Sequence, residues 1–135
     1  MIYLLDTNTL IYLIKNKPPS VAERVNSLEK DATLGMSFVT YAELLKGAER
    51  STRKAEVLRQ LGQLVRVVPV FFDTNQVLCR HYAVEANRLQ TLGTPIGGND
   101  LWIACHALML GAVLVTNNLR EFARLERLRL ENWVA

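Results

Sequence analysis

Residues Ile2 to Leu5 form a short apolar run that stops at Asp6, the pattern of a buried strand. Its exit turn passes through Thr7 into a helix carrying Leu10, Ile11, Leu13 and Ile14. Pro18 and Pro19 break the chain, and Ser20 is placed to cap a second helix with Val21, Val25 and Leu28 on one face. Residues 33–39 read as a second strand. Thr40, with Glu43 three residues on, has the form of a capping box opening a helix through Ala42, Leu44, Leu45 and Ala48. A basic helix over about residues 53–64 follows, and then a β-branched and aromatic run at 65–72. Pro69 inside that run predicts an edge position or a strand end.

Asp73, with Gln76 behind it, is the expected cap of a long helix that stops near Gly93 and Pro95. Gly97, Gly98 and Asn99 read as a loop, Asp100 opens an apolar helix ending at Gly111, and residues 112–116 form another strand with no polar alternation. Continuous apolar strands are covered on both faces, as in a parallel sheet between helices. Alternating strands and helices therefore predict an α/β three-layer domain with a mainly parallel central sheet, one domain over residues 1–135. No linker, repeat or low-complexity segment interrupts it.

Composition narrows the picture modestly. Half the residues are apolar, and a chain of 135 residues buries enough surface for a core without staples. Cys79 and Cys105 stand among apolar neighbours rather than in a ligand cluster, which argues against a disulfide framework or a structural zinc site and for a reducing cytoplasm. The start MIYLLDTN lacks the basic region of a signal peptide. The longest uncharged stretch, residues 101–115, is shorter than the ~20 residues a membrane helix needs. A net charge of +3 is unremarkable, but its distribution is not: Lys46, Arg50, Arg53, Lys54, Arg59 and Arg66 face only Glu49 and Glu56. That segment is either a solvated helix face or a contact for a polyanion, with Arg50, Arg53, Lys54 and Arg59 the candidate backbone clamp.

Three carboxylates sit in apolar settings beside strand exits or helix starts: Asp6 in LLDTN, Glu43 in TYAELLKG and Asp100 in GGNDLWIACHA. Singly, each has a structural explanation as a cap or a helix-dipole partner. Together they matter because ligands of open α/β sheets bind outside the carboxyl ends of the strands, where the turns after Asp6 and at Thr116 belong. Several carboxylates in one cleft need a proton or a cation. Hard oxygen donors select Mg²⁺ or Mn²⁺, and the natural use of such ions is phosphodiester hydrolysis. His81, in a long amphipathic helix, and His106, in an apolar one, have no Ser or Cys partner for a triad and read as core or surface histidines rather than catalytic ones, and no P-loop occurs.

The segments LLDTNTLIYLIKNKP, SFVTYAELLKG, PIGGNDLWIACHAL, LVTNNLREF and LRLENW, in this order over residues 1–133, resemble the PIN domains, and more narrowly the VapC-type toxin ribonucleases of type II toxin-antitoxin pairs. The resemblance implies that Asp6, Glu43 and Asp100 bind a divalent metal and carry catalysis, with Asn8 and Thr116 orienting ligands or phosphate oxygens. The family usually has a fourth acid where this chain has Asn118; Glu121, three residues along, is the possible substitute, or else an ordinary surface acid beside Arg120 and Arg124. The family further implies an Mg²⁺-dependent endoribonuclease acting on RNA such as tRNA, initiator tRNA included. It also implies a homodimer, and a small antitoxin that blocks the site and alone contacts operator DNA. Two other functions compete. A phospho-accepting receiver domain lacks its adjacent acidic pair and its late-strand Lys here, since Leu5 and Thr7 flank Asp6 and Thr116 and Asn117 follow the late strand. An RNA-binding module that no longer cuts is opposed by three acids kept in order.

Overall fold

The computed structural model describes residues 1–134. Along them run β1 (Ile2–Leu5), α1 (Thr7–Lys15), α2 (Pro19–Asn26), β2 (Thr33–Ser37), α3 (Phe38–Arg50) and α4 (Lys54–Val67). β3 (Val70–Phe71), α5 (Gln76–Thr91), α6 (Gly98–Leu110), β4 (Val113–Val115), α7 (Leu119–Phe122) and β5 (Arg129–Glu131) complete the order. The five strands form one sheet in the order β3-β2-β1-β4-β5, and every pairing is parallel.

Neighbouring strand residues serve opposite faces, as a pleated strand requires. Leu4 and Leu114 enter a core with Leu78 and Leu89 of α5 and Ile103 and Ala104 of α6. Leu5 and Val115 enter a second core with Leu10, Val21, Leu61, Leu64 and Trp133. Helices therefore cover both faces, which is why β1 and β4 tolerate no polar alternation. On β2 the glycine is obligatory: the ring of Phe71 fills the space a Cβ on Gly35 would take. Chain order reverses about β1, with β2 on one side and β4 on the other, so a switch-point crevice opens beyond the ends of β1 and β4.

Several local expectations are corrected. Ser20 does not cap α2, which starts at Pro19; its hydroxyl donates instead to the carbonyl of Val134 at 3.0 Å. The second strand ends at Ser37, whose hydroxyl accepts from the Val39 N–H and caps α3. Thr40 thus lies inside the first turn, fully buried and with its hydroxyl unpaired among the described residues, and the capping box with Glu43 does not form. The run at 65–72 is split: residues 65–67 are the last turn of α4. Leu61, Leu64 and Val68 keep a buried stripe at helical spacing, and Pro69 then leaves only the two-residue edge strand β3. Asn75, not Asp73, caps α5, and Gly97 is the N-cap of α6, so Gly98 and Asn99 are helical. Gly111, at φ 64°, closes α6 in the left-handed conformation that glycine takes without strain.

Candidate active site

Asp6 stands where β1 hands over to α1. As N-cap residue its Oδ1 accepts the Thr9 N–H at 2.9 Å, meeting one of the donors that the first helical turn leaves unpaired. Its Oδ2 accepts the Thr116 hydroxyl at 2.5 Å. Thr116 follows β4, and the pairing of Leu5 with Val115 aligns the two strand exits. The Asp6 carboxylate is buried and both oxygens are engaged, so its direction is fixed by the sheet itself.

Glu43 projects from the second turn of α3. Thr7 Oγ1 donates to its Oε1 at 2.7 Å, and Asn99 Nδ2 approaches Oε2 at 3.4 Å. Asp100 lies in the first turn of α6 and has no hydrogen-bond donor among the described residues. Burial first, then the charges of Glu43, Glu121 and Asp6, raise its carboxyl to about 6. Asp6, Thr7, Asn8, Glu43, Asp100, Asn118 and Phe122 line one cleft of about 170 Å³.

Asn118 precedes α7, its N–H bonded to Thr116 Oγ1 at 2.9 Å and its amide nitrogen donating to Glu121 Oε2 at 3.2 Å. Glu121 is therefore at the rim rather than in the wall, held by Asn118 yet close enough to act on Asp100. The donor set is what a hard divalent cation favours, and the raised Asp100 marks negative charge that such an ion would relieve. Among the described residues no three carboxylates already converge on a single point, and Mg²⁺ is commonly held by one or two carboxylates with water completing its shell.

Three contributors escaped the sequence reading. Thr7 and Asn99 hold Glu43, although each lies far from it along the chain. His106 is the third. Its Nε2–H donates to the Asp73 carbonyl at 2.9 Å, since a carbonyl only accepts, which leaves Nδ1 to accept the Ser37 hydroxyl at 2.9 Å. Ser37 caps the helix bearing Glu43, while His106 belongs to the helix bearing Asp100, so this neutral imidazole ties the two acid-bearing helices together. Burial holds its pKa below the ordinary value. His106 is a core histidine and His81 a surface one, a choice the sequence had left open.

The predicted basic clamp does not reach the cleft lining. Arg53 pairs with Glu56 at 2.5 Å, Lys54 with Glu49 at 2.5 Å and Arg59 with Glu56 at 3.8 Å, all at exposed positions. Arg50 has no ion pair or hydrogen bond among the described residues. Cys105 is buried, which pushes its thiol up to about 12 and makes it inert. Among the described residues no helix is long and apolar enough to cross a membrane.

Known proteins share this fold and much of this sequence. The PIN domain family matches residues 3–128. Ribonuclease VapC1 of Haemophilus influenzae strain R2866 is 50% identical over 133 residues, 98% of each chain. The tRNA(fMet)-specific endonuclease VapC of Salmonella typhimurium is 39% identical over 132 residues, 97% of each chain. In the solved structure of VapBC-1 from nontypeable Haemophilus influenzae, a chain 50% identical superposes with a TM-score of 0.94, all of both chains being covered. With its all-parallel sheet and acid-lined switch point, the chain belongs to the PIN domain family and, within it, to the VapC-type toxin ribonucleases.

Proposed function

We propose that this protein is a divalent-metal-dependent endoribonuclease that cuts a structured RNA, a tRNA such as the initiator in the first instance, and is silenced by a partner antitoxin. The observation that carries the reading is Asp100: an acid without a hydrogen-bond donor among the described residues, raised to about 6 by burial and by the nearby carboxylates of Glu43, Glu121 and Asp6. A cleft so charged is unfavourable when empty and suited to a cation, Mg²⁺ or Mn²⁺ by donor hardness. The substrate class is supported by the Salmonella relative's tRNA(fMet) specificity, and the antitoxin by the VapBC-1 complex.

Asp6, Glu43 and Asp100 would hold the ion. When bound, it polarises the scissile phosphate and favours ionisation of the attacking water. The chain's own groups do the positioning. Thr9 N–H and Thr116 lock Asp6, and Thr7 with Asn99 steers Glu43. Asn8, exposed in the first turn of α1 and lining the cleft, offers an amide to a phosphate oxygen. Purified protein incubated with tRNA in Mg²⁺, in Mn²⁺ and in chelator tests the reading, alongside Asp6→Asn, Glu43→Gln and Asp100→Asn. Cleavage that needs the ion and is lost in all three variants is expected; undiminished cleavage in chelator would defeat it.

A further inference from the structure

A second basic region lies on the other side of the molecule from the α3–α4 face, and its charges are arranged differently. Arg80, His81, Val84, Glu85 and Arg88 of α5, with Glu126 and Arg127 of the segment before β5, line a hollow of about 360 Å³. Its central acid is buried: the Glu85 side chain is only 4% exposed, bonded to Arg88 Nε at 2.8 Å with Arg127 Nη2 at 3.8 Å. Arg127 nevertheless keeps 58% of its side chain in solvent. It also donates to His81 Nδ1 at 3.3 Å, which keeps that ring nitrogen free of a proton. Arg80 is exposed, with no ion pair or hydrogen bond among the described residues. Of its two acids only Glu126 is exposed, while Glu85 lies beneath the three arginines; around α4 both acids lie on the surface among the cations they neutralise.

This hollow is joined to the cleft by a continuous run of contacts. Asn118 lines the cleft and holds Glu121; the Arg124 N–H bonds to the Glu121 carbonyl at 3.1 Å. The Arg124 guanidinium then donates to the carbonyl of Pro95, just before the helix that carries Asp100, at 3.0 Å. Arg88 donates to the Arg124 carbonyl at 2.6 Å, which returns the path to Glu85 and the hollow. We propose that the α5 hollow with Arg80 and Arg127 is the RNA backbone track of this ribonuclease, feeding the strand past Arg124 into the acidic cleft. The exposed Val84 in its wall gives riboses and bases an apolar rest between phosphate contacts. Phosphate contacts of this kind set register and affinity without reading sequence. The inference deepens the proposed function and rests on it for the identity of the polyanion.

Binding of unfractionated tRNA is measured across a salt series in chelator, with every protein carrying Asp6→Asn so that no substrate is consumed. Replacing Arg80 and Arg127 together by Gln is expected to make the slope of log affinity against log salt shallower by about 1.4 to 1.8, and to raise KM but not kcat when returned to the active protein. Arg53→Gln with Arg59→Gln removes the same charge from the α4 face and is expected to leave the slope unchanged. Arg88 continues to pair Glu85 in these proteins, and Arg80→Gln alone, which breaks no internal contact, is expected to give half the slope change. An unchanged slope for the α5 variants, or an equal change on the α4 face, overturns the track. So does weakened antitoxin binding with tRNA affinity intact, which assigns the hollow to a protein partner. Failure of the active protein to cut any RNA, with the α5 slope effect present, counts against the ribonuclease reading and not against the track.

Discussion

Asp6 and Asp100 face the same cleft from opposite corners and are held in opposite ways. Asp6 is part of the scaffold: it caps α1 and receives a hydroxyl from the neighbouring strand exit, so its charge is compensated by donors the fold supplies. Asp100 receives none, and burial with three other acids makes its charge a cost. One corner is paired before any ligand arrives, while the other stores repulsion that only a proton or a cation removes. A site can thus be rigid and poised at once, because the two properties reside on different residues.

The largest expected effect treats the corners alike. Asp6→Asn and Asp100→Asn should each lower RNA cleavage roughly a thousandfold, the scale of removing one group that stabilises transition-state charge. Steady-state cleavage assays check this, and the comparison breaks if one variant keeps near-normal activity.

Stability should then split them. Asp6→Ala removes the cap and strands the buried Thr116 hydroxyl, at a cost of about 1–3 kcal/mol. Asp6→Asn costs less, since its amide oxygen still caps the helix. Asp100→Asn should instead stabilise the metal-free protein at pH 7.5, on the order of 1 kcal/mol once solvent screening of this half-buried group is allowed for. Urea unfolding in chelator measures both, and destabilisation by Asp100→Asn would remove the contrast.

The pH dependence sharpens it. Asp100 has its folded pKa raised, so the native state binds the extra proton. Its unfavourable contribution is therefore full above about pH 6 and fades as the pH falls towards the ordinary carboxylate range. His106 works in the other direction, since its lowered pKa gives stability at neutral pH that is lost on acidification. Subtracting the Asp100→Asn curve from wild type leaves the Asp100 contribution alone. In chelator that difference should shrink between pH 7 and pH 5, and a flat difference would mean that Asp100 is not strained.

The smallest effect concerns the rim. Asn118 donates to Glu121, so Glu121→Ala should raise the Mg²⁺ needed for half-maximal cleavage severalfold without abolishing activity. Asn118→Asp replaces that donor by a second acid, and the gain in ion affinity is offset by repulsion from Glu121. Mg²⁺ titrations of the two variants decide the matter, and a Glu121→Ala curve superimposable on wild type would remove Glu121 from the site.

Much of this was written locally. The apolar runs ending at Asp6 and before Thr116 specified buried parallel strands, because a strand covered on both faces leaves no polar alternation. An acid at such an exit falls at the crevice whatever else the chain does, so Asp6 was legible; Asp100 was legible as the acid opening the apolar helix before β4. Local patterns misled where two structures shared one composition. Residues 65–67 are β-branched enough for a strand, yet they form the last turn of α4, carrying its buried stripe from Leu64 on to Val68 while Val67 itself is exposed. Thr40 and Glu43 have the spacing of a capping box, but Ser37 starts the helix one turn earlier, positioned by His106 from α6.

What the sequence alone determined is thus the fold class and the order of the acids, both set by interactions among near neighbours along the chain. The partners of each acid were decided in three dimensions. Thr116 meets Asp6 across 110 residues and Thr7 meets Glu43 across 36, contacts that leave no periodic trace. The same holds for the arginines, since a cation's availability depends on whether the nearest acid is buried beneath it or exposed beside it, and only packing fixes that.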